Sequence, residues 1–196
     1  SGGVTFSLDN KFIYYSKLDE HHRPRKIFKH KISTAVKEDA LIFEEKSEAF
    51  TVGIGLSSDE KYYFIMSSDH NTSEQYYFSV DEENPKPKLI KKRKKGIIYS
   101  VSSWNGHFYN HTNEDAEDFK IETCKDLSTQ KWKTYIAAKD EVLIGGLVFL
   151  NDWIIRSETS NALGKIFVKN VKTNMEEEIK FADEKIIVPG ISLIQR

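Results

Sequence analysis

A polar turn followed by an aromatic or β-branched strand returns four times along this chain at nearly constant spacing. Such a period restricts the fold more than any single residue does. The turns are Asp9-Asn10-Lys11 before Phe12-Ile13-Tyr14-Tyr15, then Asp59-Glu60-Lys61 before Tyr62-Tyr63-Phe64-Ile65. The third is Asn105-Gly106-His107 before Phe108-Tyr109, and the fourth is Asn151-Asp152 before Trp153-Ile154-Ile155. Their first residues lie 50, 46 and 46 positions apart.

The other runs keep the same beat. First strands are expected at Val4 to Leu8, Phe50 to Leu56, Ile97 to Ser103 and Val142 to Leu150. Third strands are expected at Lys26 to Ile32, Gln75 to Val80, Phe119 to Cys124 and Ile166 to Val171. More polar fourth strands follow at Leu41 to Glu45, Pro87 to Lys92, Trp132 to Ala137 and Glu177 to Phe181, and Ile186 to Leu193 begins a fifth unit. Thirty Ile and Val against eleven Leu, with twenty-one Phe and Tyr, favour pleated half-buried surfaces. No helical apolar period persists for three turns, and the segment Asn113 to Phe119 is too short and acidic to be one.

Four strands in each unit of this length is the signature of a β-propeller blade. The expected fold is all-β: a partial propeller of four antiparallel four-stranded blades plus the first strand of a fifth. The blades are placed at 4–46, 50–92, 97–138 and 142–182, with an inner strand at 186–196. First strands carry Ser7, Gly53, Gly55, Ser100, Ser102, Gly145, Gly146 and Gly190, as crowding near a propeller axis would require. A sandwich of two antiparallel sheets is the competing architecture, because strand alternation serves both. Missing Trp-Asp blade endings make this a propeller of a non-WD kind.

Twenty-nine basic against thirty acidic residues argue against a dedicated nucleic-acid binder. The single Cys124 excludes an intrachain disulfide and a thiolate metal cluster, and fits a reducing, cytoplasmic setting. No apolar stretch is long enough to span a membrane, and no signal peptide is evident. Residues 1–3, Ser1-Gly2-Gly3, read as a cloning scar, and the stop at Arg196 reads as a cut, so a piece of a longer protein is expected.

Candidate chemistry mostly fails on inspection. Gly190-Ile191-Ser192 approaches a hydrolase elbow but lacks the second glycine and the helix, so Ser192 is expected to be a strand serine. His107 and His111 would lie about 13 Å apart along one strand face, too far for one metal ion. His21-His22 reads as a solvated loop pair. Lys86 to Lys95 holds seven basic residues and reads as a solvated outer strand or a contact to another domain. Glu44-Glu45 and Glu176-Glu177-Glu178 read as surface charge, and the N-x-S/T matches at Asn71 and Asn110 carry little weight without a secretory signal. No catalytic residue, metal ligand or cofactor site is assigned within the chain, and no substrate-contacting residue is named.

The detailed sequence nevertheless resembles the propeller domain of the oligopeptidase B branch of the prolyl-oligopeptidase family of serine peptidases. Tyr14-Tyr15, Arg23-Pro24 and Ile27-Phe28-Lys29-His30 resemble the family's aromatic strand, Arg-Pro loop and x-W-x-H segment. Asp39 to Lys46 followed by Phe50-Thr51-Val52 is similar to its D-x-L-V-Y-E-E-x-D…F-x-V stretch. Ser73-Glu74, Ile98-Tyr99-Ser100-Val101, Phe108-Tyr109 with Thr112-Asn113, Ala116 and Phe119, then Asp152 to Ile155 and Ile166, continue the likeness in order. Ile97-Ile98 departs from a His-Glu pair and Phe28 from a Trp, replacements that suit strands.

The resemblance implies a seven-bladed propeller over a C-terminal α/β-hydrolase domain that holds a Ser-Asp-His triad. It also implies short peptide substrates cleaved after Arg or Lys, with the propeller restricting access. None of that triad would lie in these 196 residues, so this chain alone is expected to be inactive. Its expected partners are the hydrolase domain of the same polypeptide and short basic peptides, with no nucleic acid and no membrane. The unprotected flanks of an open arc would invite self-association. A non-enzymatic interaction propeller and a polyanion-binding module are the other readings, since a propeller fold serves many functions.

Overall fold

The computed structural model describes residues 2–180; the expected fifth-unit strand at Ile186 to Leu193, with Ser192, lies outside them. Sheet 1 holds β1 (Gly3–Phe6), β2 (Phe12–Leu18), β3 (Pro24–Lys31) and β4 (Ala40–Glu44). Sheet 2 holds β5 (Thr51–Leu56), β6 (Tyr62–Ser68), β7 (Ser73–Ser79) and β8 (Lys88–Lys91). Sheet 3 holds β9 (Tyr99–Trp104), β10 (His107–Thr112), β11 (Lys120–Cys124) and β12 (Lys133–Ile136). Sheet 4 holds β13 (Val142–Leu150), β14 (Trp153–Ser160), β15 (Leu163–Asn170) and β16 (Glu176–Glu178). Each sheet is an antiparallel meander in chain order. Among the described residues the one helical piece is a 3-10 turn at Val36–Glu38, and no helix is long and apolar enough to cross a membrane.

The first two recurring turns share a chemical cause. In the first, Ser7 Oγ donates to Asp9 Oδ1 at 2.7 Å and accepts the Phe12 N–H at 2.9 Å, while Asn10 takes a φ of 56°. In the second, Ser57 and Asp59 repeat the arrangement at 2.8 Å, Ser57 Oγ accepts the Tyr62 N–H at 3.0 Å, and Glu60 takes a φ of 56°. The serine and aspartate supply the hydrogen bonds that the left-handed residue removes from the ladder. The third turn is shorter and uses Asn105-Gly106, both at positive φ, as a tight hairpin demands.

Strand alternation then sends side chains to both faces of each sheet, and the buried residues gather between successive sheets. Tyr14 and Ile27 of sheet 1 pack with Val52, Tyr63, Ile65 and Phe78 of sheet 2. Phe64 and Ile90 of sheet 2 meet Tyr99, Val101, Phe108 and Cys124 of sheet 3. Trp104, Tyr109 and Ile121 of sheet 3 meet Ile144 and Ile154 of sheet 4. Aromatic pairs cross each seam: Tyr14 to Tyr63 at 4.7 Å, Tyr62 to Phe108 at 5.3 Å, and Trp104 to Phe149 at 5.4 Å. Sheets stacked in series, the middle two with a core on either side, are blades; a two-sheet sandwich has no such order. The ring is not closed. The far face of sheet 1 leaves Val4, Phe6 and Leu41 about half exposed, at 51%, 55% and 49%.

The small residues of the first strands need a different explanation from crowding. A Cβ added at Gly53, Gly55 or Gly146 would meet nothing within 4 Å. Among the described first-strand glycines only Gly145 is enclosed, where its Cβ would come 2.1 Å from Ser157 Oγ and 2.9 Å from the Ser157 carbonyl. The register slips here between Ile144 and Leu147, so Gly145 and Gly146 form a bulge in β13. The segment Asn113 to Phe119 is a pair of turns, with Asp115 and Phe119 at positive φ, in keeping with its lack of helical period.

Candidate functional site

β9 and β13 each have one edge that their own sheet does not pair, and the preceding blade supplies the missing partners. Ser73 Oγ donates to the Tyr99 carbonyl and accepts the Tyr99 N–H, both at 2.7 Å. Gln75 does the same for Val101, its Nε2 donating to the carbonyl at 3.0 Å and its Oε1 accepting the N–H at 2.6 Å. One primary amide thus imitates a strand against β9. At β13 the Ile144 N–H donates to the Asp118 carbonyl at 2.9 Å, and His111 Nε2 donates to the Ile144 carbonyl at 2.7 Å. An edge satisfied this way is closed to stray pairing and fixed in register.

Buried charge reinforces the seams at the strand 4-to-1 connections. Glu45 is 4% exposed and Glu74 is 5% exposed, and Arg93 lies between them with Nη2 at 2.6 Å from Glu45 and 2.8 Å from Glu74. Its guanidinium also stands 4.0 Å from the Phe50 ring centre. Burial pushes the Glu45 carboxyl up, but donors from Ser67, the Ser47 N–H and Arg93 outweigh it and hold the group below its usual range. Glu74 is held down in the same way, burial being overcome by Arg93 and the Tyr76 hydroxyl. In the fourth blade Arg156, itself 5% exposed, joins Glu158 at 2.9 Å and Glu176 at 2.8 Å, and Lys139 reaches Glu158 at 2.6 Å.

Two expectations are corrected by these clamps. Glu45 is a buried seam residue, since the connector after β4 turns it inward, whereas Glu44 is exposed and pairs with Lys26. Within Lys86 to Lys95, Lys86, Lys88, Lys92, Lys94 and Lys95 are exposed, but Lys91 pairs with Glu114 and Arg93 forms the clamp. A block of like charges hides such a residue from composition. Aligning repeats would have found it, because Glu45, Arg93 and Lys139 occupy the same connector 48 and 46 positions apart.

The histidines do not converge. His21 and His22 are exposed in the turn after β2, and His107 Nδ1 lies 3.2 Å from the Asn105 carbonyl. His111 stacks on Phe119 at 4.6 Å, and burial lowers its pKa against the opposing pull of its bond to the Ile144 carbonyl. His30 Nδ1 pairs with Asp39 Oδ1 at 2.6 Å and Tyr15 donates to Oδ2 at 2.7 Å, but no serine or cysteine hydrogen-bonds to His30 among the described residues. Asn110 is 2% exposed within β10, while Asn71 lies in an exposed turn. Among the described residues no group of three or more His, Cys, Asp or Glu could hold a metal ion. Cys124 is buried and its thiol is pushed up to about 11 by burial.

Open space lies instead along the seams. A cleft of about 740 Å³ runs between blades 1 and 2 at the end carrying the strand 1-to-2 turns. Another of about 690 Å³ joins the turns of blades 2, 3 and 4 around Trp104, Phe149 and Asp59. A smaller one of about 110 Å³ lies between blades 3 and 4 beside Ser100, Ser102, Tyr109 and His111. The described residues therefore form a clefted platform whose open spaces follow the seams between blades.

Comparison with known proteins agrees with this architecture. Residues 1–192 match the family described as prolyl oligopeptidase, N-terminal beta-propeller domain. The chain is 31% identical over 169 residues to Protease 2 of Moraxella lacunata, covering 85% of this chain and 24% of that protein. It is 27% identical over 194 residues to dipeptidyl aminopeptidase BI of Pseudoxanthomonas mexicana, covering 96% and 26%. Oligopeptidase B from Trypanosoma brucei superposes with a TM-score of 0.85 at 22% identity over 93% of this chain and 27% of its own. Oligopeptidase B from Leishmania major gives 0.84 at 16% identity over 92% and 27%. The blades in series, the open ring and the match along nearly the whole chain make this protein a member of the prolyl oligopeptidase N-terminal β-propeller family.

Proposed function

We propose that this chain is the gating propeller of a serine oligopeptidase that hydrolyses short peptides after Arg or Lys, its catalytic α/β-hydrolase domain belonging to the same polypeptide. The chain spans about a quarter of the length of the relatives it matches, 24% and 26%. The observation that carries the reading is the family match over residues 1–192. Likeness to Protease 2 and to oligopeptidase B supports the branch. In this scheme the serine of the absent domain attacks the peptide carbonyl, an imidazole moves the proton, and water resolves the acyl-enzyme. The propeller's part is steric: blades tied together by Gln75 and Arg93 resist spreading, so flexible peptides pass and folded proteins do not. The lone buried Cys124 is compatible with a cytoplasmic setting.

The test compares the full-length protein with the 196-residue chain on three substrates. These are a short fluorogenic peptide ending in Arg, the same peptide with a neutral residue there, and a folded protein containing the same sequence. The reading expects turnover of the Arg peptide by the full-length protein only. Turnover by the isolated chain, or equal cleavage of the folded protein, overturns the gating role. Release of dipeptides from free N-termini would assign the exopeptidase specificity named for the Pseudoxanthomonas relative. A full-length protein inert on every peptide would favour a non-enzymatic interaction propeller.

A further inference from the structure

The cleft between blades 1 and 2 has an unbalanced charge and an unused hydroxyl. Five carboxylates line it, at Asp9, Glu38, Asp81, Glu82 and Glu83, against three ammonium groups. Among these eight, the one salt bridge found in the described residues joins Asp9 to Lys11 at 3.4 Å, with both side chains largely in water. Lys29 already shows what the cleft offers a cation. Its Nζ stands 4.0 Å from the centre of the Phe12 ring and donates to the Glu83 carbonyl at 2.6 Å. An aromatic face beside a hydrogen-bond acceptor is one way proteins hold ammonium and guanidinium groups.

Two local features separate this seam from the next one. Asp59 in the second blade uses one oxygen in its own turn and accepts a hydrogen bond from Ser103 on the other, at 2.8 Å. Ser103 pairs with Phe108 as Leu56 pairs with Tyr63, so Leu56 stands at the matching place one blade earlier. It has no hydroxyl to give, and the outer oxygen of Asp9 keeps only the loose contact with Lys11. The second feature is Tyr14. It is 3% exposed, lines the cleft, and its hydroxyl takes part in none of the hydrogen bonds found among the described residues. Phe64, whose ring faces the following blade from β6, has no such group to offer.

We propose that this cleft is a binding site for the cationic side chain of a peptide, a lysine or arginine, held by the Asp9 carboxylate, the Tyr14 hydroxyl and the acidic wall of Asp81 and Glu83. The charge class rests on the cleft itself; that the peptide is a substrate rests on the function proposed above. The site lies at one end of the seam, among the turns that join strands 1 and 2.

Binding is measured on the 196-residue chain without any peptidase assay, so the two readings fail separately. The probes are acetyl-Ala-Arg-Ala-amide, its lysine analogue and its citrulline analogue, followed by chemical-shift changes at Phe12 and Tyr14. The Arg and Lys peptides are expected to shift these signals saturably and the citrulline peptide to bind at least about tenfold more weakly. Tyr14→Phe keeps the ring packing and is expected to weaken Arg-peptide binding about tenfold, as loss of a hydrogen bond to a charged group should. Glu83→Gln, on an exposed loop, is expected to weaken it while leaving the fold unchanged by circular dichroism. Equal binding of the citrulline and Arg peptides, no saturable shift at Phe12, or full affinity in Tyr14→Phe each overturns the proposal.

Discussion

Arg93 is worth more to this molecule than its place in a lysine-rich run suggests. It neutralises two carboxylates that are almost wholly buried, and its side chain retains 25% exposure. Arg93→Ala leaves both carboxylates facing each other without a counter-charge. The expected cost is about 2–3 kcal/mol in urea unfolding, below the figure for a fully buried pair because water reaches the guanidinium. Arg93→Lys should recover part of that loss, since a single ammonium cannot reach both partners with a planar fork. The same clamp sets the response to acid. Glu45 and Glu74 are held below their ordinary value of 4.5, so they bind protons more readily unfolded than folded. Their contribution is therefore complete above about pH 5 and is lost as the pH falls through the depressed folded values. Urea midpoints measured from pH 8 down to pH 3 should be level at first and then fall. In Glu45→Gln the acid limb should be shallower, from a lower starting stability.

At the scale of single strands, the two kinds of first-strand glycine make opposite predictions. Gly145→Ala drives a Cβ into the Ser157 side chain and carbonyl, and should cost about 1–3 kcal/mol. Gly55→Ala meets open space and should be neutral or slightly stabilising through the unfolded chain. Thermal unfolding of the two variants checks this directly, and equal effects would contradict the assignment of Gly145 to a bulge. Much of the element layer was legible from sequence because turn chemistry and side-chain alternation are local. Ser7 with Asp9, and Ser57 with Asp59, announce their turns, and β13 spans Val142–Leu150 as its apolar run indicates. The seam contacts were not legible. Gln75 reads as one more polar residue in a strand until β9 is laid against it, and Glu45 reads as surface charge until Arg93 arrives from 48 positions away. Open glycines and enclosed ones also look alike in a string of letters.

For the molecule as a whole, the account stands on order: sheet 1 against sheet 2, sheet 2 against sheet 3, sheet 3 against sheet 4, and no return to the start. The family places that arc in a propeller domain, and the proposed gating role and proposed cationic cleft both rely on these seams. Proton–proton Overhauser contacts between selectively labelled aromatic rings report this order directly, with isotope-filtered mixtures removing contacts between molecules. Cross-peaks should join Tyr14 to Tyr63, Tyr62 to Phe108 and Trp104 to Phe149, pairs that lie 4.7, 5.3 and 5.4 Å apart. No intramolecular peak should join Tyr15 or Phe28 on the open face of sheet 1 to Trp153 of sheet 4. Loss of any one seam contact in the folded protein, or a clear peak between sheets 1 and 4, would contradict the open arc.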